Sequence, residues 1–282
     1  MIEVFMLQSL IHLTYSQKSV MQISSTRFVL PIHHTKWCIT ALLMLCSLQL
    51  SFSASAATPV DDLELDTLPV TQVNPADKDK PMVVFFSGDG GWAELDTTVS
   101  ENLVKQGMPV VGWSTLTYFW SFKTPEQTTK DFQRILAYYS KAWQRSRVIL
   151  IGYSFGAETF PFAVNRLSPE YRKMIVGGVM LVPSISSNFE IHVSDWLQTS
   201  AAGRYPTLPE VKKIQDIPLL CMYSEVEEGD LCPLLSKQSN VTLTQLSGGH
   251  NFGKRYSLIT KKILQAMAPA IQVPASQAAP AK

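Results

Sequence analysis

Gly152-Tyr153-Ser154-Phe155-Gly156 sets a serine between two glycines. Such a serine becomes a nucleophile when a strand runs into it and a helix leaves it, because the turn then lifts the hydroxyl clear of its neighbours. The turn is so sharp that flanking side chains must be absent, which is the steric demand glycine meets. Placed at a helix N-terminus, the hydroxyl also lies where backbone N–H groups favour developing negative charge. Without a general base the same pattern would be only a tight glycine turn.

A serine nucleophile needs an imidazole, and the chain has five histidines: His12, His33, His34, His192 and His250. The first three lie in or before an apolar N-terminal segment. His250 stands in Ser247-Gly248-Gly249-His250, directly after the last expected strand, and so at the same sheet edge as Ser154. His192 falls in an irregular stretch and reads as a surface or packing residue. In the strand–turn–helix arrangement the acid comes between serine and histidine in chain order. After the strand expected at Pro218–Tyr223, Glu225, Glu227, Glu228 and Asp230 place four carboxylates in six positions. Glu227, three residues beyond Ser224, is the first choice of acid and Asp230 the alternative. A second glycine-rich turn, Ser87-Gly88-Asp89-Gly90-Gly91, follows the first strong strand. It supplies backbone N–H groups, so Asp89 or Gly90 would pair with Phe155 as an oxyanion hole. No Gly-Lys-Ser/Thr ending makes this a phosphate cradle, and no His/Cys/Asp cluster has metal-ligand spacing. Neither a cofactor nor a metal is expected.

The elements that must position these groups follow from periodicity. Met82–Phe86, Pro109–Trp113, Arg147–Ile151, Ile175–Val182, Pro218–Tyr223 and Val241–Leu246 are short apolar runs that read as strands. A further edge strand is expected near Pro69–Val73. Between the runs lie helical stretches: one stopped by Gly107, one opened by the capping box Thr124-Pro125-Glu126-Gln127, one ending at Leu167, and Lys254–Ala266. Continuous apolar strands separated by helices imply a mostly parallel sheet of about six to seven strands covered on both faces, hence one α/β domain over residues 81–267. Residues 184–210 break the alternation and read as an insertion lying over the strand ends, where a lid would be. Residues 57–80 form a leader, and the Pro/Ala/Gln-rich residues 268–282 an unstructured tail.

Residues 37–50 contain no charge, follow Arg27 and Lys36, and end in small residues including Ala54-Ser55-Ala56. That is the pattern of a secretory signal peptide over residues 1–56, with Met21 as an alternative start and an uncleaved anchor as the alternative reading. Export places the chain in the periplasm or outside the cell. Cys221 and Cys232 then remain as an even pair and read as one disulfide. Overall, 24 Lys and Arg against 23 Asp and Glu leave no basic excess for nucleic acid, and 46% hydrophobic with 17% charged residues excludes a disordered chain.

FFSGDGGWAELD, VVGWSTLTYFWSFKTPEQTTKD, LIGYSFGAETFPFAVNRL, FEIH, the Cys221/Cys232 pair and GGHNF together resemble the VirJ/AcvB bacterial virulence-factor family over about residues 81–265. Two departures are Asn251, where the family often has a second histidine, and Ser224, where glycine is usual. The resemblance implies a periplasmic α/β-hydrolase, with Ser154 on the family nucleophile and His250 on its histidine. It also implies hydrolysis of lysyl-phosphatidylglycerol at the membrane surface and a connection with type IV secretion proteins. An aminoacyl ester suits acyl transfer by a triad. Its ammonium would meet a carboxylate, for which Glu158, Glu190 and Asp195 are candidates. The aromatic run Tyr118-Phe119-Trp120-Ser121-Phe122 would line an acyl-lipid approach through Tyr118 and Trp120, or pack in the core. The leading expectation is therefore a secreted serine esterase acting on an aminoacylated phospholipid. Its rivals are a general secreted lipase or esterase, and a non-enzymatic accessory or chaperone of a secretion system.

Overall fold

A computed structural model describes residues 67–70, 77, 79–192, 203–227 and 229–272. The expected signal peptide, most of the leader, residues 193–202 with Asp195, and the last ten residues lie outside the described residues.

Strand β1 (Thr67–Val70) is followed by β2 (Met82–Phe86), α1 (Glu94–Val104), β3 (Val110–Trp113), the short α2 (Thr115–Tyr118) and α3 (Pro125–Trp143). Then come β4 (Val148–Tyr153), α4 (Phe155–Arg166), α5 (Pro169–Arg172) and β5 (Ile175–Leu181). Two-residue strands β6 (Ser186–Ser187) and β7 (Tyr205–Pro206) precede α6 (Thr207–Lys213), β8 (Leu219–Ser224), β9 (Val241–Leu246), α7 (Tyr256–Ala266) and α8 (Ala268–Gln272). The main sheet has the order β1-β3-β2-β4-β5-β8-β9. All neighbours pair in parallel except β1, which runs antiparallel to β3 with Pro69 opposite Val111. A proline there removes no needed ladder bond, because β1 is an edge strand.

Every residue of β2 is buried. Met82, Val84 and Phe86 face one core with Phe132, Ile135 and Leu136 of α3, whereas Val83 and Phe85 face a second core with Leu95, Val99 and Leu103 of α1 and Ile259 and Ile263 of α7. That alternation is the period-two geometry of a strand covered on both faces. Helix α3 starts on its capping box: Gln127 N–H donates to Thr124 Oγ1 (3.1 Å) and Thr124 N–H to Gln127 Oε1 (2.8 Å).

The edge strand is described at Thr67–Val70, overlapping the expected Pro69–Val73, and residues 71–73 lie outside the described residues. Within residues 184–210, β6 and β7 form an antiparallel ribbon apart from the main sheet, and α6 begins at Thr207. One expectation of the fold, the unstructured tail, needs correction. The composition-defined tail begins with helix α8, whose Ala270 is buried against the second core.

Candidate active site

Ser154 occupies the bend between β4 and α4 at φ 51° and ψ −117°, outside the ordinary basins of a non-glycine residue. Its amide donates to Leu181 O (2.8 Å), and its carbonyl accepts from Ala157 N–H (2.8 Å), so both ends of the strained residue are held. A Cβ on Gly156 would lie 2.3 Å from Phe86 O, and one on Gly152 would lie 2.6 Å from Ala157 backbone atoms. The two glycines thus let α4 start against the end of β2. Phe155 N–H, in the first turn of α4, has no partner within the helix, which is true of any helix start.

The Ser87–Gly91 turn lies alongside. A Cβ on Gly88 would approach the Tyr153 ring at 3.1 Å and Ser154 Cβ at 3.7 Å. Thr115 Oγ1 donates toward the carbonyls of Ser87 (3.0 Å) and Gly88 (2.6 Å), and Gly88 O also accepts from Gly91 N–H (2.9 Å). A trans peptide sets its N–H opposite its C=O, so the Asp89 amide is turned away from Thr115. Thr115 has no motif around it; sequence reasoning missed it.

Five of the nine residues between β9 and α7, namely Gly248, Gly249, Phe252, Gly253 and Lys254, have positive φ. This loop carries His250, whose Nδ1 lies 3.4 Å from Glu227 Oε2. Tyr153 packs its ring 5.4 Å from the imidazole, centroid to centroid, and donates from its hydroxyl to His250 O (3.3 Å). The imidazole is thereby anchored to the residue preceding Ser154. No hydrogen bond joins the imidazole to the Ser154 hydroxyl in this structure. Such bonds commonly tighten only when substrate binds.

Asp230 faces elsewhere. Its Oδ1 accepts from Cys232 N–H (2.9 Å), and Asp230 forms an isolated bridge with Ser184. Burial, and to a lesser degree the charge of Glu227, raises its carboxyl to about 6. Cys221 and Cys232 form a disulfide that ties this loop to β8. Of the two acids weighed from sequence, Glu227 is the one brought to the imidazole.

The remaining predicted site residues scatter. Glu158, one turn beyond Ser154 on α4, is only 7% exposed. Burial raises it to about 7 against the opposing hydrogen bonds from Ser184, with Asp89 raising it further. Its serine partner Ser184 comes from the insertion and was not read from sequence. Glu190 pairs with His192 (3.3 Å). Tyr118 is a correction: it is buried, donates to Asp131 Oδ2 (2.7 Å) and packs on Trp113, so it lines no approach. It belongs to the core because α2 turns it inward. Trp120 faces solvent.

The model of the bacterial virulence protein VirJ matches residues 80–271, most of the chain. The chain belongs to the VirJ family. A search of the curated proteins finds no match. Among solved structures, MenH from S. aureus matches with a TM-score of 0.55 at 13% identity, over 72% of this chain and 98% of that one. Est1E from Butyrivibrio proteoclasticus, in a complex with ferulic acid, matches with a TM-score of 0.51 at 15% identity, over 72% and 96%. A lipase-esterase related protein from Clostridium acetobutylicum matches with a TM-score of 0.51 at 13% identity, over 72% and 99%. Identities this low establish the fold, and the fold is that of the α/β-hydrolases. Within this VirJ-family chain, no group of three or more metal-ligating side chains is assembled among the described residues.

Proposed function

We propose that this VirJ-family protein is a serine hydrolase of carboxylic esters, with Ser154 as nucleophile, His250 as general base and Glu227 as the acid that orients it. The observation that carries the reading is the conformation of Ser154, strained between two glycines that cannot be larger, with the His250–Glu227 pair anchored to its neighbour Tyr153. Strain of this kind persists where the surrounding structure over-determines it, and it is concentrated at functional sites. In the first step the Ser154 oxygen attacks the ester carbonyl as its proton passes to His250 Nε2. The oxyanion is met by the amides of Phe155 and of Asp89 or Gly90. The protonated imidazole then donates to the departing alcohol, and water repeats the sequence on the acyl-enzyme.

For substrate, we infer the aminoacyl ester of an aminoacylated phospholipid, lysyl-phosphatidylglycerol being the example tied to the family, hydrolysed in the periplasm. Asp89, in the turn beside the nucleophile and close enough to raise the buried Glu158 carboxyl, supports a cationic acyl group. The test has two stages. A fluorophosphonate probe should label the protein and fail to label Ser154→Ala; no labelling of the parent chain removes the hydrolase reading. Lipid chromatography after incubation with lysyl-phosphatidylglycerol should then show free lysine and phosphatidylglycerol. Intact lipid alongside cleavage of simple esters would instead make this a general esterase.

A further inference from the structure

We propose that the loop Trp120–Lys123, with Arg204 beside it, is a docking surface for an anionic phospholipid bilayer. The aromatic run that enters this loop divides sharply. Tyr118 and Phe119 are 6% and 1% exposed, whereas Trp120 is 60% and Phe122 38% exposed. Isolated exposed apolar residues need no explanation, but two large rings two positions apart, with cations at their base, make a chemically composed surface. The Arg204 guanidinium lies 5.7 Å from the centre of the Phe122 ring. Lys123 Nζ lies 5.4 Å from the Tyr118 ring and donates to Ser121 Oγ (3.1 Å). Among the described residues, Asp131 is paired with Arg134 and Tyr118, Glu126 with Arg166, and Glu190 lies against the His192 imidazole, a pair that cancels charge only when the histidine is protonated. Lys123 and Arg204 thus bring two cations to this loop.

Tryptophan is favoured at membrane–water interfaces, where its ring sits among headgroups, and Lys and Arg are drawn to an anionic leaflet. Two rings on a short loop also present far less than the roughly 800 Å² per partner of a stable protein interface. The loop is stiffly mounted beside the nucleophile. Phe119 packs on Phe155 (5.1 Å between centroids), and Ile191 N–H donates to Phe119 O (2.9 Å), while Lys123 N–H donates to Phe189 O (3.0 Å). Docking would bring the Ser154 end of the molecule to the lipid surface. The inference deepens the reading above, yet its test reads binding alone and is indifferent to catalysis.

The experiment is co-sedimentation of the full chain with vesicles of phosphatidylcholine, or of phosphatidylcholine mixed with phosphatidylglycerol. Every variant carries the same apolar N-terminal segment, so its contribution cancels between variants. The mixed vesicles should bind at least about tenfold more tightly than the neutral ones. Trp120→Ser/Phe122→Ser, and separately Lys123→Glu/Arg204→Glu, should each lose about tenfold in that binding, the second loss shrinking in high salt. Leu234→Ser, at another exposed apolar side chain, should bind as the parent does. Ser154→Ala should also bind as the parent does, whatever the probe experiment shows. Unchanged binding in both double variants, an equal loss in Leu234→Ser, or a vesicle-free dimer abolished by Trp120→Ser/Phe122→Ser would each overturn the proposal.

Discussion

Glu227 and Asp230 stand on one loop and face different partners, an imidazole and the backbone amide of Cys232. The carboxylate that orients the base should matter to the reaction, and the one that closes a turn should matter to the fold. Glu227→Gln should lower kcat on a chromogenic ester by about a hundredfold or more, as replacement of a triad acid does elsewhere. Asp230→Asn keeps an acceptor for Cys232 N–H, so its kcat should stay within about threefold of the parent. Equal losses would hand the role to Asp230. Glu158 gives a pH prediction. Burial raises its carboxyl from 4.5 to about 7, so between those values the folded chain holds a proton that the unfolded chain has released. Stability from this group is therefore full at the acid end and is lost as pH rises through about 7, by up to ~3 kcal/mol. Asp96, also raised to about 7 by burial and with Oδ1 unpartnered, adds a slope of the same sign. Urea unfolding of Glu158→Gln should show a shallower fall between mildly acidic and neutral pH, and greater stability than the parent above neutrality. An unchanged slope would mean that Glu158 is ionised in the fold.

The glycine turns separate two kinds of requirement between elements. Gly156 sits where α4 meets the end of β2, and a methyl group there would strike backbone that cannot move aside. Gly156→Ala should cost roughly 3 kcal/mol in thermal or denaturant unfolding, or prevent folding. Gly90→Ala meets nothing within 4 Å, so it should leave stability within about 0.5 kcal/mol of the parent. The capping box of α3 was readable because it is a local pattern: both of its bonds lie within four residues. The strands were readable because a doubly covered sheet demands unbroken apolar runs. The ribbon β6–β7 was not, since Ser186 pairs with Pro206 across a separation that no local pattern spans.

At the scale of the molecule, the Cys221–Cys232 disulfide closes a separation of 11 residues, and the loop it encloses holds Glu227 and Asp230. Loop-closure entropy puts its contribution near 3 kcal/mol. A Cys221→Ala/Cys232→Ala chain should melt lower by that order and lose esterase activity while its far-UV circular dichroism stays that of a folded α/β protein. Full activity would show that the acid loop is held by other contacts. From its sequence alone the strands of the main sheet, the four longest helices and the serine bend could be read, and His250 could be chosen as the histidine proposed to serve that serine. Each is written in spacings shorter than one element or in chain order imposed by the sheet. Tertiary structure alone decided that Glu227 and not Asp230 reaches the imidazole, that Tyr118 turns inward while Trp120 faces water, and that Ser184 of the insertion meets Glu158. Those choices depend on where a loop returns after leaving the sheet, and that path is set by long-range packing such as Phe189 seated among Phe119, Phe162 and Tyr205.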